Sequence, residues 1–532
     1  MTWTRISQVA HLSNIEQVDL LVIGGGIVGA GTALDAASRG LSVLLVERTD
    51  FAAETSSRSS KLLHGGIRYL PQFRFKLVRE GLLEQKVLAT IADYLYEPLE
   101  FILPMYEGRG FGDVPSWVSA QPRLVSPMFG AGLKMYDTLG GRSEEYQSSK
   151  LSSGEITLRV PKLKTEGLTG GFSYFDARTD DARLTAVVLK TAVRRHGAVV
   201  VNWTEATGVE KRGEEFLVGL RDRTSGAESS VRARAVVAAT GPFRPVPGAG
   251  EHKKLVLSKG VHLVMDATEL GIGEEALVLP ETEDGRILFL IPFRNRLWVG
   301  TTDTLYDGDP DTPVATEEDV EYIRRQIRQY MDVGDMTVTT AIAGLRALAA
   351  EEGEGTAEAS REPAVIEVQD GYWQVAGGKL TGYRPMAQRV VDEVVDHLGE
   401  RTPSETDQLP LVGSGSDKQE IIRAATDVGY SYDYGSVLYD RYGREAFEII
   451  DRSKSGINMW ADGMASEAEF SYTCDHESVA SLADFLMRRT HVAWFVKDHG
   501  RSFARAMAEA SNLGAVSALV NDYEDELAEL GI

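Results

Sequence analysis

The first strongly patterned stretch of the chain is a short β-forming run, Val18-Asp19-Leu20-Leu21-Val22-Ile23, which predicts a strand. After a glycine-rich turn, small apolar positions at Ala33, Ala36 and Ala37 recur at helical spacing and lead to Arg39-Gly40. A second apolar run, Ser42-Val43-Leu44-Leu45-Val46, ends on Glu47 and completes a parallel βαβ unit. Apolar positions near Leu77, Leu83, Val87 and Ile91 then predict a helix from Arg74 to about Tyr94. Pro98 and Pro104 are read as breaks around the apolar run from Leu99 to Met105.

The pattern continues with a helix that follows Asp180-Asp181-Ala182-Arg183-Leu184 and runs to Arg195, and with a strand at Ala198-Val199-Val200-Val201. Alternation from Phe216 to Leu220 and an apolar run from Val231 to Ala239 predict further strands. From about 250 to 340 the chain reads as strands and turns, including Leu288-Phe289-Leu290-Ile291-Pro292 and Leu297-Trp298-Val299-Gly300 around a turn at Asn295. Helices are predicted from Glu317 to Tyr330 and from about Met386 to His397. Residues 402–417 are punctuated by Pro, Ser and Gly and read as a linker, and 418–532 as mainly helical, with 481–509 the clearest helical stretch. The fold class is therefore α/β: a discontinuous Rossmann-like βαβ cofactor domain, a substrate-facing β-rich domain and a C-terminal α-helical domain. The cofactor domain takes about 15–95, 165–245 and 340–400, and substrate or cap segments take about 96–164 and 246–339. Together these form one region over 1–400, and the helical domain occupies 401–532.

The turn inside the βαβ unit carries Gly24, Gly26 and Gly29 in the spacing G-x-G-x-x-G. Such glycines permit the turn, admit a pyrophosphate to the backbone and let the helix pack closely, and the helix N-terminus favours the anion. Glu47 follows Gly29 by 18 residues, which suits a carboxylate on the adenosine ribose. The glycines alone do not separate NAD from FAD, but the stretch after Glu47 does. Ser56-Ser57-Arg58-Ser59-Ser60-Lys61-Leu62-Leu63-His64-Gly65-Gly66-Ile67-Arg68-Tyr69 offers hydroxyls and amides for a ribityl chain and pyrophosphate. Gly65 and Gly66 admit backbone to a flavin ring, beside which His64, Arg68 and Tyr69 are placed. The strand ending in Ala238-Ala239-Thr240-Gly241 returns the sheet to the cofactor, and Gly377-Gly378-Lys379-Leu380-Thr381 at a second strand-to-helix turn faces phosphate or flavin.

Charge and cysteine content narrow the classes. The 532 residues carry a net charge of −23, which disfavours a nucleic-acid partner but leaves room for a local basic patch around an anionic substrate. The single cysteine, Cys474, excludes an internal disulfide framework, a Cys₄ iron–sulfur cluster and a C-x-x-C redox pair, so redox chemistry calls for an organic cofactor and no metal. No secretory or membrane-spanning segment is read, and a cytoplasmic protein with peripheral membrane contact is expected. Between 107 and 140, Phe111, Trp117 and Phe129 are interleaved with Arg109, Arg123 and Lys134; core packing of a cap is preferred there over a membrane-facing surface.

Over nearly its full length the chain resembles the FAD-dependent glycerol-3-phosphate dehydrogenases. The match rests on the glycine turn, on Thr55 to Leu70, on Met135-Tyr136-Asp137 and on Asp180-Asp181-Ala182-Arg183-Leu184. It continues through Ser258-Lys259-Gly260-Val261-His262, Gly300-Thr301-Thr302-Asp303, Gly377 to Thr381 and Asp484 to Thr490. The resemblance implies oxidation of sn-glycerol 3-phosphate at C2 to dihydroxyacetone phosphate, with hydride passing to flavin N5 and electrons to a membrane quinone at the inner face of the cell membrane. A dianionic phosphate needs fixed cations, for which Arg68 and Arg346 are the candidates, with Lys379 assisting and Tyr69 orienting. A base is needed for the C2 hydroxyl; His262 is preferred over His64, although alone it would read as a packed strand histidine. Cofactor-facing residues are Gly24, Gly26, Gly29, Glu47, Ser56, Ser57, Ser60, Lys61, Gly65, Gly66, Gly241, Gly378, Lys379, Leu380 and Thr381.

Two departures from the family pattern stand out: Ala347 replaces the proline after Arg346, which is expected to loosen a loop there, and Gly382 replaces a threonine. The rival readings are an oxidase passing electrons to O₂, which usually carries a mid-chain insertion not evident here, an amine or amino-acid oxidase, and a non-catalytic flavin binder. The helical C-terminal region is read as capping the fold or joining two copies in a homodimer, with Arg488 and Arg489 as solvated cations on a packed helix.

Overall fold

The computed structural model describes residues 3–67, 74–109, 122–242, 246–248, 255–294, 296–349, 364–511 and 513–532. Arg68, Tyr69, Phe111 and Trp117 lie outside the described residues, as does the side chain of Arg123. Strands Gln17–Ile23 and Val43–Val46 pair in parallel, with Leu20 opposite Val43 and Ile23 opposite Val46. Glu228–Ala238, Tyr372–Ala376 and Val199–Val201 extend the same parallel sheet. Its central strands are covered on both faces, which explains their continuous apolar runs. Helix Ile27–Ser38 packs against helices Asp181–His196 and Tyr383–His397, and its closely spaced alanines, Ala30, Ala33, Ala36 and Ala37, are all buried.

Among the described residues the second sheet has ten strands. Leu255–Met265 pairs antiparallel with Val338–Ala349, Arg296–Gly300 and Thr304–Tyr306, and the sheet continues through Leu288–Phe293, Ala276–Leu279, Glu97–Tyr106 and Leu168–Arg178 to Leu62–Leu63. This sheet takes Leu62–Leu63, Leu168–Arg178 and Val338–Ala349 from segments expected in the cofactor domain. The chain crosses between the sheets more often than local pattern indicates, because strand propensity does not say which sheet a strand joins. Pro98 and Pro104 do not break the chain; both sit inside Glu97–Tyr106. Leu168–Arg178 pairs along that strand on one side, but on the other side Ala276–Leu279 reaches only Phe101 and Ile102. Both prolines therefore fall where one flank lacks a partner, and their missing N–H costs no ladder bond there. In helix Phe75–Ile91, Leu82 is buried and the expected core position Leu83 is 42% exposed. Phe129 packs on Phe172 at 5.9 Å between ring centroids, and the Arg109 guanidinium stacks over Tyr330.

The 402–417 segment is not a loose linker. Arg39 donates to the Thr402 carbonyl, Ser404 to the Asp35 carboxylate, and the buried Leu411 donates its N–H to Ile91. Nor is 481–509 one helix: a π-helical turn, Asp484–Arg489, is followed by the short helix Val492–Phe495 and then by Arg501–Ala510. His491 and His499 interrupt it with φ of +61° and +54°. Arg488 and Arg489 are not solvated cations but are 4% and 1% exposed. Arg489 binds both oxygens of the buried Asp50, at 2.8 and 3.0 Å, and Arg488 reaches the same carboxylate at 2.7 Å. The wider turn brings both successive guanidinium groups inward, which tethers the C-terminal helices to the cofactor sheet. Among the described residues no helix is long and apolar enough to cross a membrane.

Candidate active site

A cavity of about 740 Å³ lies between the two sheets. One end is the N-terminus of helix Ile27–Ser38, where Gly26 caps the helix without a side chain. Gly24 holds φ +112°, and Gly29 is pressed against it: a Cβ at Gly29 would lie 2.0 Å from the Gly24 carbonyl oxygen. Ser56 Oγ accepts from the Ile27 N–H at 2.9 Å and ties the serine-rich loop to this turn. Glu47 braces the turn: Oε2 accepts from the Gly25 N–H at 2.7 Å, and Oε1 accepts from the Thr49 N–H at 2.9 Å and the Thr49 hydroxyl at 3.1 Å, which leaves Oε2 with further acceptor capacity for a ribose hydroxyl. From there the cavity passes Ser59, Ser60, Gly241 and Gly377 to Leu380. The cleared glycine cradle, the helix N-terminus and the length of the cavity fit a dinucleotide. Gly29→Ala should yield a protein without bound flavin, because its methyl meets backbone that cannot move aside; flavin absorbance per folded chain measures this.

The other end is one face of the second sheet. Side chains alternate along a strand, and directly paired residues share a face. Ser258, Gly260 and His262 therefore point the same way, together with their partners Arg346, Gly344 and Ile342, and with Gly300 opposite His262 on the next strand. Gly260 keeps this face open, since a Cβ there would lie 2.5 Å from Arg346 Nη2. His262 is 2% exposed, its ring lies 5.6 Å from that of Trp298, and its Nε2 is 2.9 Å from Ser60 Oγ. Burial, with the Arg346 and Lys61 charges, holds the imidazole well below its ordinary pKa and neutral. The Arg346 guanidinium donates to Thr301 Oγ1 at 3.1 Å and the Thr302 carbonyl at 3.3 Å, and lies 3.5 Å from Asp303 Oδ1. His64 and Lys379 line the same cavity.

Arg346 sits in a regular strand, opposite Ser258, and Ala347 sits opposite Leu257. The guanidinium is aimed by sheet register, so Ala347 does not loosen a loop there. Several expected cofactor contacts are placed otherwise. Lys61 is fully buried, with its ammonium 2.5 Å from Asp181 Oδ1 and 4.8 Å from the centre of the Trp298 ring. Ser57 is buried and donates to the Ala53 and Glu54 carbonyls. Gly65 gives its N–H to Asp176, and Thr381 donates to the His64 carbonyl. These residues shape the loops around the cavity instead of lining it. Sequence reading placed Ser60 on the cofactor but missed its bond to His262, and it missed Arg286 as a wall of the cavity. Neither carries a local signal, since both depend on strands paired across long separations.

A parallel βαβ sheet with a glycine cradle, facing a largely antiparallel sheet across an extended cavity, defines a flavoprotein oxidoreductase. The profile described as "FAD dependent oxidoreductase" matches residues 19–385, and that described as "C-terminal domain of alpha-glycerophosphate oxidase" matches 404–512. The aerobic glycerol-3-phosphate dehydrogenase of Staphylococcus aureus (strain MRSA252) is 35% identical over 544 aligned positions, covering 97% of this chain and 94% of that protein. A crystal structure of glycerol-3-phosphate dehydrogenase from Bacillus halodurans, complexed with FAD, is 30% identical with a TM-score of 0.78, covering 99% of this chain and 97% of that one. L-alpha-glycerophosphate oxidase from Mycoplasma pneumoniae, at 17% identity and a TM-score of 0.55 over 74% of this chain and 97% of its own, shares the fold. The chain belongs to the FAD-dependent glycerol-3-phosphate dehydrogenase family, and its cofactor is FAD.

Proposed function

We propose that the enzyme oxidises sn-glycerol 3-phosphate at C2 to dihydroxyacetone phosphate and delivers the electrons to a membrane quinone. The observation that carries this reading is the single sheet face holding a neutral, buried His262 and the Arg346 guanidinium at the end of the cofactor cavity. Bound FAD supplies the two-electron acceptor, at flavin N5, for the hydride leaving C2. His262 takes the C2 hydroxyl proton, with its ring oriented by Ser60. Arg346 and Lys379 hold the phosphate, His64 orients the substrate, and the family motif adds Arg68 and Tyr69. The relatives are named dehydrogenases and not oxidases, which favours an acceptor other than O₂; a membrane quinone in that role goes with a cytoplasmic location, peripheral on the inner face of the cell membrane. The oxidase reading, with O₂ as acceptor, draws on the C-terminal profile described for alpha-glycerophosphate oxidase.

Anaerobic addition of glycerol 3-phosphate to the yellow holoenzyme is expected to bleach the visible flavin band. Slow return of colour in air, and fast return with a soluble quinone, is the expected second step. Fast return in air would replace the quinone by O₂, and no bleaching with flavin bound would sink the substrate assignment.

A further inference from the structure

Arg286 lies just before strand Leu288–Phe293, and Asp303 just before strand Thr304–Tyr306. Both line the cavity beside Arg346. Asp303 faces two guanidinium groups at once: Oδ1 is 3.5 Å from Arg346 Nη1, and Oδ2 is 3.7 Å from Arg286 Nη1. Ser258, the residue paired with Arg346, donates its hydroxyl to Asp303 Oδ1 and fixes the carboxylate. The side chain of Asp303 is 11% exposed, against 36% for Arg286 and 30% for Arg346. The carboxylate thus stands behind two more accessible cations. On its outer side Arg286 approaches Asp284, at 3.1 Å from Nε, and that carboxylate is itself held by the Thr282 and Tyr322 hydroxyls. Although ion-paired on both sides, the Arg286 guanidinium donates no hydrogen bond to any described residue.

We propose that Arg286 is a further substrate-binding residue, and that Asp303 is a positioning residue holding Arg286 and Arg346 as a two-guanidinium clamp for a phosphate monoester dianion. This rests on the reading of the site as one for glycerol 3-phosphate. Two like charges so close repel unless a counter-charge lies between them. One carboxylate, divided between them, removes that cost and turns both forks toward the same volume. An arriving dianion then accepts from both forks, and Asp303 stays in place behind them. The second guanidinium favours a doubly charged phosphate over an uncharged polyol of the same length, because each charge-assisted bond is forfeited when the phosphate is missing.

The test uses the FAD-loaded full chain. Arg286→Gln is expected to raise KM for glycerol 3-phosphate by about 10–100-fold, the range for losing hydrogen bonds to a charged group, with the loss in KM and not in kcat. The inhibition constant of inorganic phosphate should rise in parallel, and Arg286→Lys should recover part of both. Asp303→Asn should raise KM in the wild-type background, and by clearly less once Arg286 is already glutamine, since the carboxylate then has one fork fewer to place. KM and phosphate inhibition within twofold of wild type in Arg286→Gln would overturn the clamp, and additive effects in the double variant would overturn the role of Asp303. If Asp303→Asn loses FAD, the glutamine and lysine variants at Arg286 decide alone. Thermal stabilisation by inorganic phosphate over chloride at equal ionic strength, present in wild type and weakened in Arg286→Gln, gives a readout independent of turnover. Were glycerol 3-phosphate to leave the flavin oxidised while this stabilisation persists, the substrate reading would fail and the clamp would stand. Absence of phosphate stabilisation in wild type would overturn the clamp.

Discussion

His262→Asn should lower kcat by about 10²–10⁴-fold, the usual contribution of a positioned general base, while FAD stays bound. The ring sits at the opposite end of the cavity from the glycine cradle, so its loss leaves the cradle intact. The pH profile gives a second check. Burial comes first among the causes that hold His262 below its ordinary 6.5, and the Arg346 and Lys61 charges add to it. The neutral ring is the working form, so activity should persist as pH falls through 6.5 and decline only below it. Arg346→Gln removes one repelling charge and should move that acidic limb of kcat/KM upward, toward 6.5. The substrate phosphate ionises near pH 6 as well, but identically for both proteins, so the difference between the two profiles isolates the histidine. An unshifted limb, or an asparagine variant with near-normal kcat, would remove His262 from the role of base.

Glu477→Gln should cost about 3–5 kcal/mol of stability, the range for leaving a buried charge without its partner. Glu477 is fully buried and meets three cations: Arg183 in a two-pronged pair, with Nη2 at 2.8 Å from Oε1, Lys190 at 3.3 Å and Arg489 at 3.6 Å. Glutamine keeps the volume but leaves the Arg183 guanidinium, itself fully buried, without a counter-charge. Burial alone would raise the Glu477 carboxyl, but Arg183, Lys190 and Arg489 pull it well below the usual carboxylate range. A depressed folded value contributes stability above the unfolded value of about 4.3, and that contribution is lost as pH falls through the folded value. Wild type should therefore keep its advantage over the variant through pH 5 and surrender it only in strong acid. Urea unfolding at neutral pH and in acid measures both, and equal midpoints at pH 7 would show that the other carboxylates of the network carry the load.

Glu477 belongs to the C-terminal region, and Arg183 to the helix that packs against the dinucleotide helix. Together with Asp50, Arg488 and Arg489, this pair joins the C-terminal helices to the cofactor sheet through buried charge. Such contacts leave little trace in a sequence. Adjacent arginines after Leu486-Met487 read as the solvated side of a helix, and only a π-helical turn brings both inward.

What the sequence determined by itself is local. The strand, glycine turn, helix and second strand of residues 17–47 follow from alternation and spacing within one βαβ unit, and the structure reproduces them. Gly24 and Gly29 were legible because a positive φ and a 2.0 Å approach exclude any other residue. The tertiary structure alone decided the substrate end. Ser258 and Arg346 are 88 residues apart, and His262 lies 202 residues from Ser60; antiparallel pairing and sheet packing bring them onto one cavity wall. The same pairing placed Arg346 in a strand instead of a loop, turned Lys61 inward onto Asp181 and set Asp303 between two arginines. Periodicity tells which face of a strand is apolar, but register against a distant partner tells what stands beside each side chain, and that register is fixed by the packing of the whole sheet.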